Sequence, residues 1–187
     1  QHGAPSLEAR LSGGSAAQEA AGRAPLSREV MISDLLAKAG YRCGYIGKWD
    51  LGDPAQPGHS YEFTYTYAGE KPEHQNPLMS RNGRSTRETG YAADLFTEAA
   101  LEFLEGNQRG QPFFLVISYL NPNEPYDGHP ARYYDLYKDA SFDTVGWRPP
   151  APNALGGREY LQDITGNLRK AAAGLTALDD QVPRLLR

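Results

Sequence analysis

Cysteine is nearly absent from this chain of 187 residues. Cys43 stands alone, which excludes an internal disulfide and a cysteine-built metal centre and leaves the thiol as a small core residue. No apolar run approaches the roughly 20 residues that a bilayer-crossing helix needs, and residues 1–25 lack the charged and apolar regions of a signal peptide. Nor is there an excess of basic charge: the formal net charge is −4, without long single-sign runs, and offers no footprint for nucleic acid or an anionic membrane. Histidine is scarce too, and His2, His59, His74 and His129 all read as solvent-facing. A starting methionine is missing, so Gln1 leaves processing or truncation as the two explanations.

What is there suffices for one domain, since 40% of the residues are hydrophobic. Residues 1–26, rich in Ala, Gly and Ser, read as a loop or partly ordered arm. Ser27 is a candidate cap for a helix whose apolar residues Ile32, Leu35, Leu36 and Ala39 fall at helical spacing, with Gly40 placed to end it. A strand over 41–46 follows. The alternation of Tyr61, Phe63, Tyr65 and Tyr67 with Glu62, Thr64 and Thr66 predicts a half-buried strand, and the aromatic stripe reads as packing.

Residues 71–89 are polar and aperiodic and read as a long loop. Residues 91–105 form a helix with one apolar face. Residues 112–119, nearly all apolar and β-rich, suit a central strand covered on both faces. A short helix over 130–138 precedes a Pro-rich excursion to residue 157. A long helix over 158–186 has Leu168, Ala172, Leu175, Leu178, Val182 and Leu185 along one side, with a break near Asp179 imposed by Pro183. Helices alternating with a buried strand make the class α/β.

In open α/β sheets, sites gather beyond the carboxyl ends of strands. Two loops leave such ends: the one carrying Lys48, Trp49 and Asp50, and N-P-N-E-P-Y at 121–126. Lys48 and Asp50 set a cation and an anion almost side by side, and a charged, solvated turn is the plain reading of that pattern.

The residues also resemble a family. L-L-A-K-A-G-Y-R-C-G-Y-I-G-K-W-D-L-G at 35–52 is similar to the helix-strand segment of sulfatases that ends in G-K-W-H-L-G. G-H-S-Y-E-F at 58–63, G-Y-A-A-D-L-F-T-E-A-A-L-E-F-L at 90–104, P-F-F-L-V-I-S-Y-L-N-P-N-E-P-Y at 112–126 and A-L-D-D-Q-V at 177–182 resemble further elements of that family in the same order. The resemblance implies an alkaline-phosphatase-like three-layer α/β/α sandwich, here partial, with residues 27–187 as the central portion of a catalytic domain. It also implies a sulfate ester or sulfated glycan as partner and, by analogy, a periplasmic or secreted location.

A complete family member carries a formylglycine made from C/S-x-P-x-R and a calcium ion held by carboxylates. Neither motif is visible in this chain, and Cys43, in C-G-Y-I-G, is not the nucleophile. Cofactors and metal ligands are therefore expected only in a complete member. Missing flanking parts of the same domain are expected to supply them.

By resemblance Lys48 contacts sulfate, a role that suits a compact cation with three donors. Asp50 and Asn123 occupy the two positions at which the family has catalytic histidines. Asp50 leaves three outcomes open: pairing with Lys48, service as an alternative base, or a plain loop residue. Pairing is favoured because near-adjacent charges neutralise each other more cheaply than they organise a new base. Asn123 can donate a hydrogen bond but does not titrate, so it cannot act as a general acid. The expectation is a chain inactive as it stands, with a non-catalytic sulfate binder or a scaffold as the alternative.

Overall fold

The alternation of Cys43, Tyr45 and Gly47 with Gly44, Ile46 and Lys48 gives the strand β1 (Arg42–Lys48) two distinct faces. In this computed structural model, which describes residues 29–55, 57–144 and 163–186, β1 runs two residues past the expected end and carries Lys48 as its last residue. Ser27, the arm at 1–26 and residues 145–162 lie outside the described residues. On one side β1 pairs in parallel with β2 (Phe63–Tyr67), and on the other with β5 (Phe113–Ser118). Beyond β2 come β3 (Leu78–Arg81) and β4 (Arg84–Arg87), both antiparallel to their neighbours, so the order is β4-β3-β2-β1-β5.

Gly44 turns one face toward the helix α2 (Ala92–Glu105), where a Cβ would meet Phe103 at 2.8 Å. The absent side chain is what lets that ring lie against the strand. Phe96, Ala99, Ala100 and Phe103 join Ile46, Phe63, Tyr65 and Met79 in the main core. Cys43 faces the other way, and its thiol donates to Ser33 O at 3.6 Å, in the helix α1 (Ile32–Lys38). α1, the sheet and α2 are thus the three layers expected of this class. The chain continues through α3 (Ala131–Asp135), α4 (Ile164–Asp179) and α5 (Val182–Leu185), and the break between α4 and α5 falls at Asp180 and Gln181, beside the position expected from Pro183.

Several expectations need correction. The loop expected at 71–89 contains the β3–β4 hairpin, turned at Asn82-Gly83, the dipeptide favoured in two-residue turns. β2 is buried on both faces rather than one, because the hydroxyls of Thr64 and Thr66 find partners in Asn82 and in the Pro54 carbonyl. α1 buries Ser33 and leaves Ile32 59% and Leu35 57% exposed, and its first turn is fastened by Met31 N–H donating to Asp34 Oδ2 at 2.9 Å. α4 buries Ala173, Gly174 and Ala177 while Leu175 is exposed, since only small residues allow the approach of His129 described below. β5 is an edge strand among the described residues, half-buried along most of its length rather than enclosed.

Candidate functional site at the strand ends

β1 and β2 are parallel neighbours with Lys48 opposite Tyr67, so their carboxyl ends open together. Between them lies a cleft of about 190 Å³, walled by Lys48, Trp49 and Asp50 from the end of β1 and by Tyr67 and Glu70 from the end of β2. Lys48 Nζ lies 3.1 Å from Asp50 Oδ2. Successive strand side chains point to opposite sides, so residues two apart share one side, and this brings the two charges together. Of the three outcomes open for Asp50, pairing is the one observed. Both side chains are substantially exposed, so the pair contributes about 1 kcal/mol or less to stability; its consequence is electrostatic. Glu70 adds a second carboxylate to the walls, so the cleft presents one ammonium against two anions.

The backbone beneath Lys48 is held firmly. Tyr45 Oη donates to Lys48 O at 2.5 Å, and the rings of Tyr45 and Trp49 meet edge to face at 4.9 Å between centroids. Tyr61 closes the group against both rings. Trp49 is buried, and its indole N–H has no partner among the described residues.

Asn123 belongs to the loop after β5, which leaves the sheet at the same end as Lys48 because β1 and β5 are parallel. Its side chain is exposed and is not among the residues lining the cleft. The loop itself is pinned on both sides of Asn123. Before it, Asn121 Nδ2 donates to Tyr91 Oη at 2.9 Å and to Gly174 O at 2.8 Å; after it, His74 Nε2 donates to Pro125 O at 3.1 Å.

These contacts correct the expected exposure of the histidines. His74 is 2% and His129 6% exposed, their rings 4.3 Å apart, and His59 is half-buried beside Asp34. Tyr91 Oη accepts from Asn121 Nδ2 and shares a hydrogen bond with His129 Nδ1 at 2.8 Å. Burial, with His74 beside it, pulls the His129 pKa down to about 4, and burial also lowers that of His74. Both rings are neutral at pH 7. Sequence reasoning missed this cluster and the contribution of Glu70 to the cleft; the only available signal was that His74, Tyr91 and Asn121 lie beside or within elements that the topology gathers at one sheet end.

Cys43 is buried in the sheet, and burial raises its thiol pKa, consistent with a packing role. Among the described residues no group of three or more His, Cys, Asp or Glu side chains is placed to hold a metal ion. Asp50, a carboxylate of the cleft, is engaged by the candidate anion-binding lysine.

The family model described as Sulfatase matches residues 1–187. An endo-4-O-sulfatase of Bacteroides thetaiotaomicron is 27% identical over 183 residues, covering 79% of this chain and 36% of its own length. An N-acetylglucosamine-6-O-sulfatase of the same bacterium is 29% identical over 108 residues, 58% of this chain and 19% of its own. Among solved structures, the yidJ structure from Bacteroides fragilis superposes with a TM-score of 0.70 at 24% identity, covering 88% of this chain and 42% of that one. A protein solved with its substrate D-glucosamine-2-N,6-O-disulfate gives 0.66 at 18% identity, over 86% and 46%. The structural likenesses show the fold. The chain spans about a third of the first curated relative.

Proposed function

We propose, from the premise that this chain belongs to the sulfatase family, that it forms the central portion of a sulfuric-ester hydrolase domain and that its strand-end cleft is a weakened sulfate site. The observation that carries this reading is the Lys48–Asp50 pair at 3.1 Å in the cleft between β1 and β2. Lys48 supplies donors for a sulfate group, and Asp50 competes for them. A relative named N-acetylglucosamine-6-O-sulfatase supports a sulfated sugar as the ligand class. With no motif for a formylglycine in the sequence and Asn123 unable to titrate, the chain as it stands does not turn over sulfate esters. Calcium and formylglycine would come with further parts of the domain. A non-catalytic role is favoured by one further observation: the cleft holds a second carboxylate, Glu70, which opposes any anion.

Sulfate binding tests the assignment. Asp50 is solvent-exposed, so its repulsion of a doubly charged anion about 4 Å away is that of a water-like dielectric, roughly 2 kcal/mol. Asp50→Asn is therefore expected to tighten inorganic sulfate about thirtyfold at low salt. Lys48→Ala is expected to abolish the gain, read by titration calorimetry on the single and double variants. Equal sulfate affinity in wild type and Lys48→Ala sinks the assignment. The hydrolase and non-catalytic readings separate in the reading frame around the coding segment: a C/S-x-P-x-R motif upstream supports the first, and its absence there removes it.

A further inference from the structure

The charges in the strand-end cleft do not match a bare sulfate. The charged side chains in its walls are one ammonium, Lys48, and two carboxylates, Asp50 and Glu70, which leaves the cleft with a net negative charge. Lys48 Nζ directs one of its three donors to Asp50 Oδ2 at 3.1 Å and keeps the others. Glu70 is exposed and has no ion-pair or hydrogen-bond partner among the described residues. Lys71, next in the chain, is exposed and does not line the cleft.

A fastened turn presents Glu70. Tyr67, the last residue of β2, donates its hydroxyl to the Lys71 carbonyl, and Gly69 has no Cβ to obstruct that hydroxyl. The residues on both sides of Glu70 are thus held against the Tyr67 side chain, which fixes the turn in the β2 wall of the cleft. The β1 wall carries a further donor. Trp49 is 6% exposed, and its indole N–H has no acceptor among the described residues. The indole nitrogen lies 3.9 Å from where a Cβ on Gly52, another wall residue, would stand. A buried donor of this kind is satisfied by an oxygen-rich ligand and not by an apolar one.

We infer that the cleft takes a zwitterionic ligand, a sulfated amino sugar with an unsubstituted amine, whose sulfate meets Lys48 and whose ammonium meets Asp50 and Glu70. The inference rests on the sulfate reading of Lys48 and adds an ammonium subsite to it. A bare sulfate meets two carboxylates for one ammonium, which opposes its entry. A cation carried on the same ligand turns both carboxylates from opponents into partners. Acylation of the amine removes that cation, so the same carboxylates then select against the N-acetyl form.

Titration calorimetry tests it with glucosamine 6-sulfate, N-acetylglucosamine 6-sulfate, glucosamine and inorganic sulfate, at low salt and at a pH where the amine is charged. Glucosamine 6-sulfate is expected to bind about tenfold more tightly than its N-acetyl form. Joint substitution of Asp50→Asn and Glu70→Gln, both at exposed positions, should bring the two sugars to equal affinity, and Lys48→Ala should weaken both. Equal affinity in the wild-type protein overturns the inference, as does a preference that survives the joint substitution or a failure of both sugars to bind. Where the sugars bind alike and Lys48→Ala still weakens inorganic sulfate, the ammonium subsite falls and the sulfate site stands. Glucosamine binding as tightly as its 6-sulfate makes the cleft a plain cation site and overturns both readings.

Discussion

Gly47→Ala is expected to destabilise the fold by about 4 kcal/mol. Gly47 has φ +103°, a conformation that side chains resist, and a Cβ there would lie 1.9 Å from Ser118 O and 2.7 Å from its carbonyl carbon. The obstacle is backbone of the paired strand, which cannot rotate aside as a flexible side chain would. Gly40→Ala separates the two contributions, because Gly40 has φ +88° with nothing within 4 Å. It should cost only the conformational strain, about 1–2 kcal/mol. For a domain of this size each kcal/mol lowers Tm by roughly 2–4 °C, so melting curves of the two variants should differ clearly. Similar Tm values would show that β1 and β5 can part at Ser118 without cost. Since Lys48 follows Gly47, any parting there would also move the ammonium relative to the cleft.

The parts of the fold that were legible in the sequence are those where one strong pattern acts alone. α2 shows its apolar face and the glycine that follows, and β5 shows a nearly continuous apolar run. The hairpin was hidden because β4 is entirely polar, as an exposed edge requires, leaving only Asn82-Gly83 to announce it. α1 and α4 were legible as helices and misread as faces. Periodicity counts large apolar residues, whereas α4 is selected for smallness: a Cβ on Gly174 would stand 2.6 Å from His129 Nε2. The exposure of Ile32 and Leu35 has a different origin, since α1 meets the sheet through Ser33, whose carbonyl accepts from the Cys43 thiol of β1.

The site was partly legible for a geometric reason. Lys48 and Asp50 are two apart at a strand end, so their pairing follows from sequence spacing. Glu70 and Tyr67 reach the cleft only because β1 and β2 are neighbours, which spacing along the chain does not reveal. The buried histidines were missed for a related reason. A histidine is read as exposed when no partner is visible in sequence, but His129 finds Tyr91 at a separation of 38 residues and His74 finds Pro125 at 51.

Acidification is expected to weaken the fold well before the carboxylates titrate, and His129 is the group that should carry the effect. Its folded pKa is about 4 against an ordinary 6.5, so the unfolded chain takes up a proton in the window between those values while the native state does not. Stability therefore falls with falling pH across that window, by about 1.4 kcal/mol per pH unit and roughly 3 kcal/mol in all. Above pH 6.5 both states are neutral and the contribution is flat. His74 titrates in the same direction, and the groups facing the pair do little to oppose it: Tyr91 and Tyr134 are neutral, and Asp127 is engaged by Lys170 at 2.7 Å. Between pH 7 and pH 5 the wild-type chain should lose about 2 kcal/mol more than His129→Gln, measured by urea unfolding. Direct NMR titration of the His129 ring gives a second reading that does not depend on how the variant packs. A ring that titrates near 6.5 in the folded protein would mean that water reaches the cluster, and the loop carrying Asn123 would then lose the rigidity that Asn121 and His74 are assigned here.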